Sequence, residues 1–252
     1  MKKILSSVAF IFVVICGMAQ DEPIKRTPKP SIPGTFMIDL GINQLINKPD
    51  STWNQGTWGS RTVNLYYQYS FRFGRSKFSF NPGIGVSLER WKFKDNATLI
   101  DTVELVSYPN GAVSADQVEQ YNLLSPTRIY PTFARKSQLI ANYVEIPLEF
   151  RFDTKPEDIS RSINIAVGGR VGLLFDSKTK VKYKDADGDI VKVKNKQSYG
   201  LEQFRYGVYT RFGIGGFNWF AFYNLSNVFQ KGKGPLGADS NSLTFGISVN
   251  GF

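Results

Sequence analysis

The stretch from Ser137 to Phe152, SQLIANYVEIPLEFRF, alternates two kinds of residue along most of its length. Ile140, Val144, Ile146, Leu148, Phe150 and Phe152 share one parity, broken only by Asn142, while Tyr143, Glu145, Pro147, Glu149 and Arg151 share the other. A period of two marks a strand with two unlike faces. Charged residues on such a face must meet water or one another, so the deciding question is which face turns inward. A soluble barrel buries its apolar face. A barrel in a lipid bilayer turns that face outward and keeps the polar one for its lumen.

Seven further runs alternate in the same way: Thr35–Leu45, Arg61–Phe73, Phe78–Glu89, Ser162–Phe175, Glu202–Ile214, Phe217–Val228 and Ser242–Phe252. The run from Phe217 is aromatic on both parities, so alternation leaves its faces unassigned. No stretch carries a long helical period, and the class is all-β. The connections break the tie. After the second, fourth and sixth runs they are short (Gly74–Lys77, Asp153–Arg161, Gly215–Gly216); after the first, third, fifth and seventh they are long (Ile46–Ser60, Lys94–Lys136, Asp176–Ser198, Phe229–Asn241). Outer-membrane barrels have short periplasmic turns and long extracellular loops, and crossing a bilayer takes roughly 9–11 residues of tilted strand. The pattern predicts an eight-stranded antiparallel transmembrane β-barrel over 35–252.

The polar parity suits a lumen. Asp39, Glu89, Glu145 and Glu149 stand against Arg72, Arg151, Arg170, Arg205 and Arg211, a nearly balanced set that is expected to pair across a narrow interior. Eight strands enclose a space just wide enough for side chains to fill, so a plugged barrel is expected rather than an open pore. Gly83, Gly85, Gly168, Gly172 and Gly207 lie on this parity too, either to make room for those side chains or to let a tight barrel curve. Trp53, Trp58, Tyr66, Tyr67, Trp91, Tyr143, Trp219 and Tyr223 fall near strand ends, where an interfacial girdle would sit.

Ahead of the runs, Met1–Ala19 reads as a secretory signal peptide: Lys2 and Lys3, an apolar run from Val8 to Ile15, and small residues at Gly17 and Ala19. That run is too short to span a bilayer. The segment 20–34, with Pro23, Pro28, Pro30 and Pro33, reads as an extended periplasmic tether. Cys16 is the only cysteine and there is no histidine. Thiolate chemistry in the mature chain, a Ser-His-Asp triad, a histidine base and histidine zinc ligation are all excluded. The formal charge is +10; losing Lys2 and Lys3 leaves +8, which in an exported protein favours lipid head groups or lipopolysaccharide over nucleic acid.

With the eight runs in view, the chain resembles the small outer-membrane β-barrel proteins of Bacteroidota, the PorT-like group in particular. NYVEIPLEFRF at 142–152, FYNLSNVFQKG at 222–232 and the terminal Phe252 carry the resemblance. It implies an eight-stranded barrel folded by the outer-membrane assembly machinery and, for PorT itself, a part in type IX protein secretion and gliding. In many outer-membrane proteins the last strand's apolar residues share parity with the terminal Phe. Here Leu243, Phe245, Ile247 and Val249 take the opposite parity, which a bulge or fraying at Gly251 would reconcile.

Other motifs point to turns and surfaces. Asp185-Ala-Asp-Gly-Asp189 opens like a calcium loop, but Ile190 stands where the loop needs Gly and Lys196 where it needs Glu, so it reads as a hairpin turn. Its flanks carry Lys178, Lys180, Lys182, Lys184, Lys192, Lys194 and Lys196: either a solvated hairpin or a basic finger for lipopolysaccharide phosphates or an acidic partner. Glu145 and Glu149 form a carboxylate pair of the kind that can do acid–base work, though facing arginines they read as part of the ion network. Lys94–Lys136 is the natural recognition loop, and Asp101-Thr-Val103 within it resembles a short glycosylation sequon. No cofactor or metal is expected. The leading function is a non-enzymatic interaction or scaffold subunit of a secretion or assembly machine in the bacterial outer membrane, in contact with lipid, lipopolysaccharide and protein partners. A free-standing ligand-binding or small-solute barrel is the alternative. An outer-membrane enzyme is disfavoured by the missing histidine.

Overall fold

A computed structural model describes residues 34–47, 55–93, 98–102, 106–107, 113–114, 120–124, 134–185, 187–234 and 239–251. The expected signal peptide and proline-rich segment, Trp53, most of the loop 94–136 and Phe252 lie outside these residues.

Eight strands run in chain order: β1 Thr35–Ile46, β2 Arg61–Gln68, β3 Phe78–Phe93, β4 Ala134–Asp153, β5 Ile163–Lys184, β6 Phe204–Ile214, β7 Phe217–Asn224 and β8 Asn241–Asn250. Each pairs antiparallel with the next, and β8 pairs with β1 through Met37–Ile46 against Asn241–Asn250. The sheet therefore closes on itself and leaves no edge, which is the condition for strands to cross hydrocarbon. Burial alternates along every wall. Leu65, Ile84, Val144, Ile146, Val167 and Phe212 stand exposed on the outside, while Asp39, Glu89, Glu145, Glu149, Arg205 and Arg211 are buried inside. So wide an apolar exterior has no place in water; it is a surface for acyl chains.

β7 resolves by the same rule. Phe217, Trp219 and Tyr223 face out, and Asn218, Phe220, Phe222 and Asn224 face in. Strand bounds depart from the alternating runs in three places. Arg61–Phe73 breaks after Gln68 and resumes as the two-residue strand Phe71–Arg72; Tyr69 N–H donates to Pro82 O at 2.9 Å, but Pro82 has no N–H to return. The Phe217 run ends at Asn224, and Val228 and Phe229 fold inward. The expected loop Asp176–Ser198 is instead largely strand. β5 continues to Lys184 and turns back as Ile190–Asn195, because the alternation persists there with Ser177, Thr179 and Val181 on the buried side.

That continuation depends on a bulge. Leu174 pairs with Tyr143 and Asp176 with Asn142, leaving Phe175 as an extra residue. The extra residue moves the inward positions of β5 from even numbers below it to odd numbers above. β3, β4 and β5 are 16, 20 and 22 residues long, against the roughly 9–11 a crossing needs. One side of the barrel thus rises as a tall wall at the long-loop end.

Aromatic side chains ring the opposite, short-turn end: Phe36–Tyr67, Phe78–Phe152 and Phe80–Phe150 pair at centroid distances of 5.0, 5.2 and 4.9 Å. Of the expected girdle, Tyr67, Trp219 and Tyr223 face outward, and Trp58 is exposed on the loop after β1. Tyr66, Trp91 and Tyr143 are a correction, because all three are buried inside. Their rings serve the lumen. β8 stops at Asn250, and Gly251 takes φ +105°, a turn available to glycine.

Candidate functional site

The lumen is filled in three layers. Nearest the short turns, Arg211 from β6 donates to Asp39 of β1 at 2.8 Å and also bonds Glu149 of β4. Arg151 donates to Glu149 through Nε at 3.0 Å, and Asn64 donates to Asp39 at 3.3 Å. Four residues along β4, about 13 Å at strand rise, Glu145 anchors the second layer. It accepts from Arg205, with Nε at 3.0 Å, from Tyr66, and from Arg170 at 3.4 Å. Arg205 also bonds Glu89 of β3. The two layers hold four carboxylates and four guanidiniums, so their formal charges cancel.

The inward aromatics carry the cations. The Arg170 guanidinium lies 3.5 Å from the Phe222 ring centroid, Arg205 lies 4.0 Å from Tyr143, and Arg211 lies 4.7 Å from Tyr209. Such contacts strengthen once water is removed. Gly172 supplies the space: a Cβ there would stand 3.0 Å from Glu145 Cγ.

Above the ions the lumen turns apolar. Trp91, Phe93, Leu99, Leu139 and Ala141 pack with Leu45 of β1, and Tyr199, Leu201, Val228 and Phe229 close over them from the loops. Among the described residues, this small hydrophobic core fills the long-loop end alongside buried Ser137, Ser177 and Thr179.

Eight of the nine expected ion-network residues meet in this lumen. Arg72 does not join them. It lies at the short-turn end beyond the break in β2, where its Nη1 donates to the Pro156 carbonyl at 2.9 Å. Glu145 and Glu149 do not face each other as an acid–base pair, because they belong to different layers and each is bonded by two arginines. Tyr66, Tyr143 and Phe222 complete the network; the two tyrosines sit on the polar parity, a signal that the expected girdle overrode. Among the described residues no group of three or more metal-ligating side chains occurs. Asp185–Asp189 forms the hairpin turn, with Asp189 N–H donating to Asp185 Oδ1 at 2.8 Å.

The seven lysines of the basic hairpin divide. Lys178 and Lys196 bond Asp176 at 2.7 and 3.3 Å, and hydrogen bonding from Lys178 holds that carboxyl below its usual range. Lys180 lies opposite Lys194, and Lys182 opposite Lys192. Lys184 pairs with Ile190 at the turn.

Residues 19–229 match the family model described as outer membrane protein beta-barrel domain. Among solved structures the chain is similar to Ail, the attachment invasion locus protein of Yersinia pestis, in complex with the heparin analogue sucrose octasulfate. The identity is 12%, the coverage 87% of this chain and 100% of that one, and the TM-score 0.32. It is also similar to neisserial surface protein A (NspA), at 11% identity, with 86% and 96% covered and a TM-score of 0.37. No curated protein matches the chain.

Proposed function

The chain belongs to the outer membrane protein β-barrel domain family, and from that premise we propose that it is a non-enzymatic interaction or scaffold subunit of a protein secretion or assembly machine. The resemblance to PorT-like barrels points to machinery of the type IX secretion and gliding kind. As an outer-membrane protein it has three surfaces to offer: lumen, wall and loops. The observation that carries the proposal is the filled lumen. Among the described residues, two charge-balanced ion layers and an apolar cap fill the lumen, so the protein's work falls to the tall wall and the loops.

Purification of the tagged full chain from native membranes in mild detergent tests this. Proteins recovered at fixed stoichiometry, together with loss of protein export on deletion, are the expected result. Steady single-channel conductance in planar bilayers, with no stoichiometric partner, would overturn it. The alternative, a free-standing ligand-binding barrel, draws on a cavity of about 600 Å³ beside the bulge, lined by Leu174, Phe175, Asp176, Lys196 and Gln203. That volume lies within the range of small-molecule sites.

A further inference from the structure

Among the described residues, the outer side of the tall wall carries an array of cations with too few anions to balance it. In β-sheets, residues directly opposite on neighbouring strands share a face, and like charges placed so are destabilising. Here Arg61 faces Arg90, Lys136 faces Lys182, and Lys182 faces Lys192. Lys92 and Lys180 flank Gln138 from either side, and Lys194 follows Lys180. Like-charged neighbours therefore extend from β2 to the hairpin strand. Burial, then Lys182, Lys92, Lys180 and Arg61, hold the Lys136 ammonium below the usual lysine range; these residues feel one another. Among the described residues of this stretch the carboxylates are Asp176, already bonded by Lys178 and Lys196, and the aspartates of the hairpin turn.

The array's position indicates what balances it. Its strands are those whose lower halves carry the acyl-facing residues Ile84, Val144 and Leu173. Arg90 follows Leu88 on the same side of β3 by two residues, about 7 Å. A molecule lying on this wall would meet apolar side chains and, directly above them, cations. That order, acyl chains below and phosphates above, matches a phosphorylated glycolipid of the outer leaflet. A soluble acidic protein has no need of the apolar half. The lysine and arginine stems suit the boundary, since they lie along apolar surface while their charged heads reach outward.

We propose that the outer face of the β3–β4–β5 wall and its hairpin bind a phosphorylated glycolipid of lipopolysaccharide type, its phosphates held by Arg90, Lys92, Lys136, Lys180, Lys182 and Lys194. The assignment rests on the outer-membrane placement and specifies the lipid partner of the proposed subunit. It does not depend on the identity of any protein partner.

The test uses the full chain folded in detergent micelles and native mass spectrometry with three probes: bis-phosphorylated lipid A, the same glycolipid without phosphates, and phosphatidylglycerol. The wild type should bind the phosphorylated glycolipid at least tenfold more tightly than either other probe. The K180Q/K182Q/K192Q/K194Q variant should lose at least tenfold, while K155Q/R161Q at the short-turn end should lose none. Heat-shifted electrophoretic mobility verifies that both variants are folded. Equal binding of the dephosphorylated lipid or of phosphatidylglycerol, or full retention by the quadruple variant, would overturn the proposal. Loss of a co-purifying protein from that variant with lipid binding intact would assign the face to an acidic partner instead, and overturn it equally.

Discussion

Arg211 Nη2 lies 2.8 Å from Asp39 Oδ2 although 172 residues separate them in the chain. The contact joins β6 to β1 across the lumen, and both side chains are buried. A buried ion pair contributes little net stability over an apolar pair, but breaking one strands a charge, at a cost of about 3–5 kcal/mol. Arg211→Met leaves Asp39 without its cation and should lower the unfolding free energy, read from urea titrations in micelles, by that amount. The double variant R211M/D39N, which removes both charges and leaves the Arg151–Glu149 pair intact, should recover at least half of the loss.

The outward face can be tested at Val167, which is 57% exposed and lies mid-way along the membrane-crossing part of β5. Val167→Lys should destabilise the lipid-embedded barrel by about 2–4 kcal/mol, the cost of a lysine near the bilayer midplane. A loss below about 1 kcal/mol, typical of interfacial positions, would place this side chain away from hydrocarbon. Folding titrations into vesicles read the difference.

Closure between the first and last strands depends on Gly41 and Gly246, which face each other. A Cβ on Gly246 would stand 2.0 Å from the Leu40 carbonyl oxygen. Gly246→Ala must push β1 and β8 apart and should cost about 1–3 kcal/mol, as overpacking does. Gly169→Ala is the control, since the nearest atom to its added Cβ is 3.5 Å away. Heat-shifted mobility should fall in the first variant and persist in the second.

The wall cations should make stability depend on alkaline pH. Burial first, then neighbouring cations, hold Lys136 below the ordinary lysine value. The folded state thus releases this proton before the unfolded state does. Its destabilising effect is full below the folded pKa and fades as pH rises towards the unfolded value of about 10.4. Over that window the unfolding midpoint of the wild type should rise more steeply than that of Lys136→Met, when both are followed in micelles at low salt.

Most strands and faces were legible because a half-buried wall enforces a period of two on side chains; β7, aromatic on both parities, and the strand that continues past Asp176 were not. The alternation of short and long connections decided between water and lipid as surroundings. Pairing heights were not legible. Parity places Arg205 and Glu145 on one side of the wall, but only the stagger of strands around the barrel brings Arg205 level with Glu145 and Glu89 and leaves Arg72 below. Likewise Trp91 and Tyr143 read as interfacial rings because an aromatic near a strand end looks the same whether it meets head groups or caps a lumen. The hairpin lysines were evident as a run. Arg61, Arg90, Lys92 and Lys136 were not recognised as their neighbours, since those positions are assembled from three other parts of the chain.

Val181 shares the parity of Phe175, so strict alternation would put both on one face; yet Phe175 is 53% exposed and Val181 only 3%. The single unpaired residue between Leu174 and Asp176 exchanges inside for outside along everything that follows. Excising Phe175 would close the bulge with Leu174 still opposite Tyr143 and Asp176 still opposite Asn142, so Ser177, Thr179 and Val181 would stay inside and Lys178, Lys180 and Lys182 outside. Drawing Phe175 into the ladder as a paired residue would instead turn Lys178, Lys180 and Lys182 towards the oily stopper, so it is the bulge that keeps the cationic decoration of this wall on display.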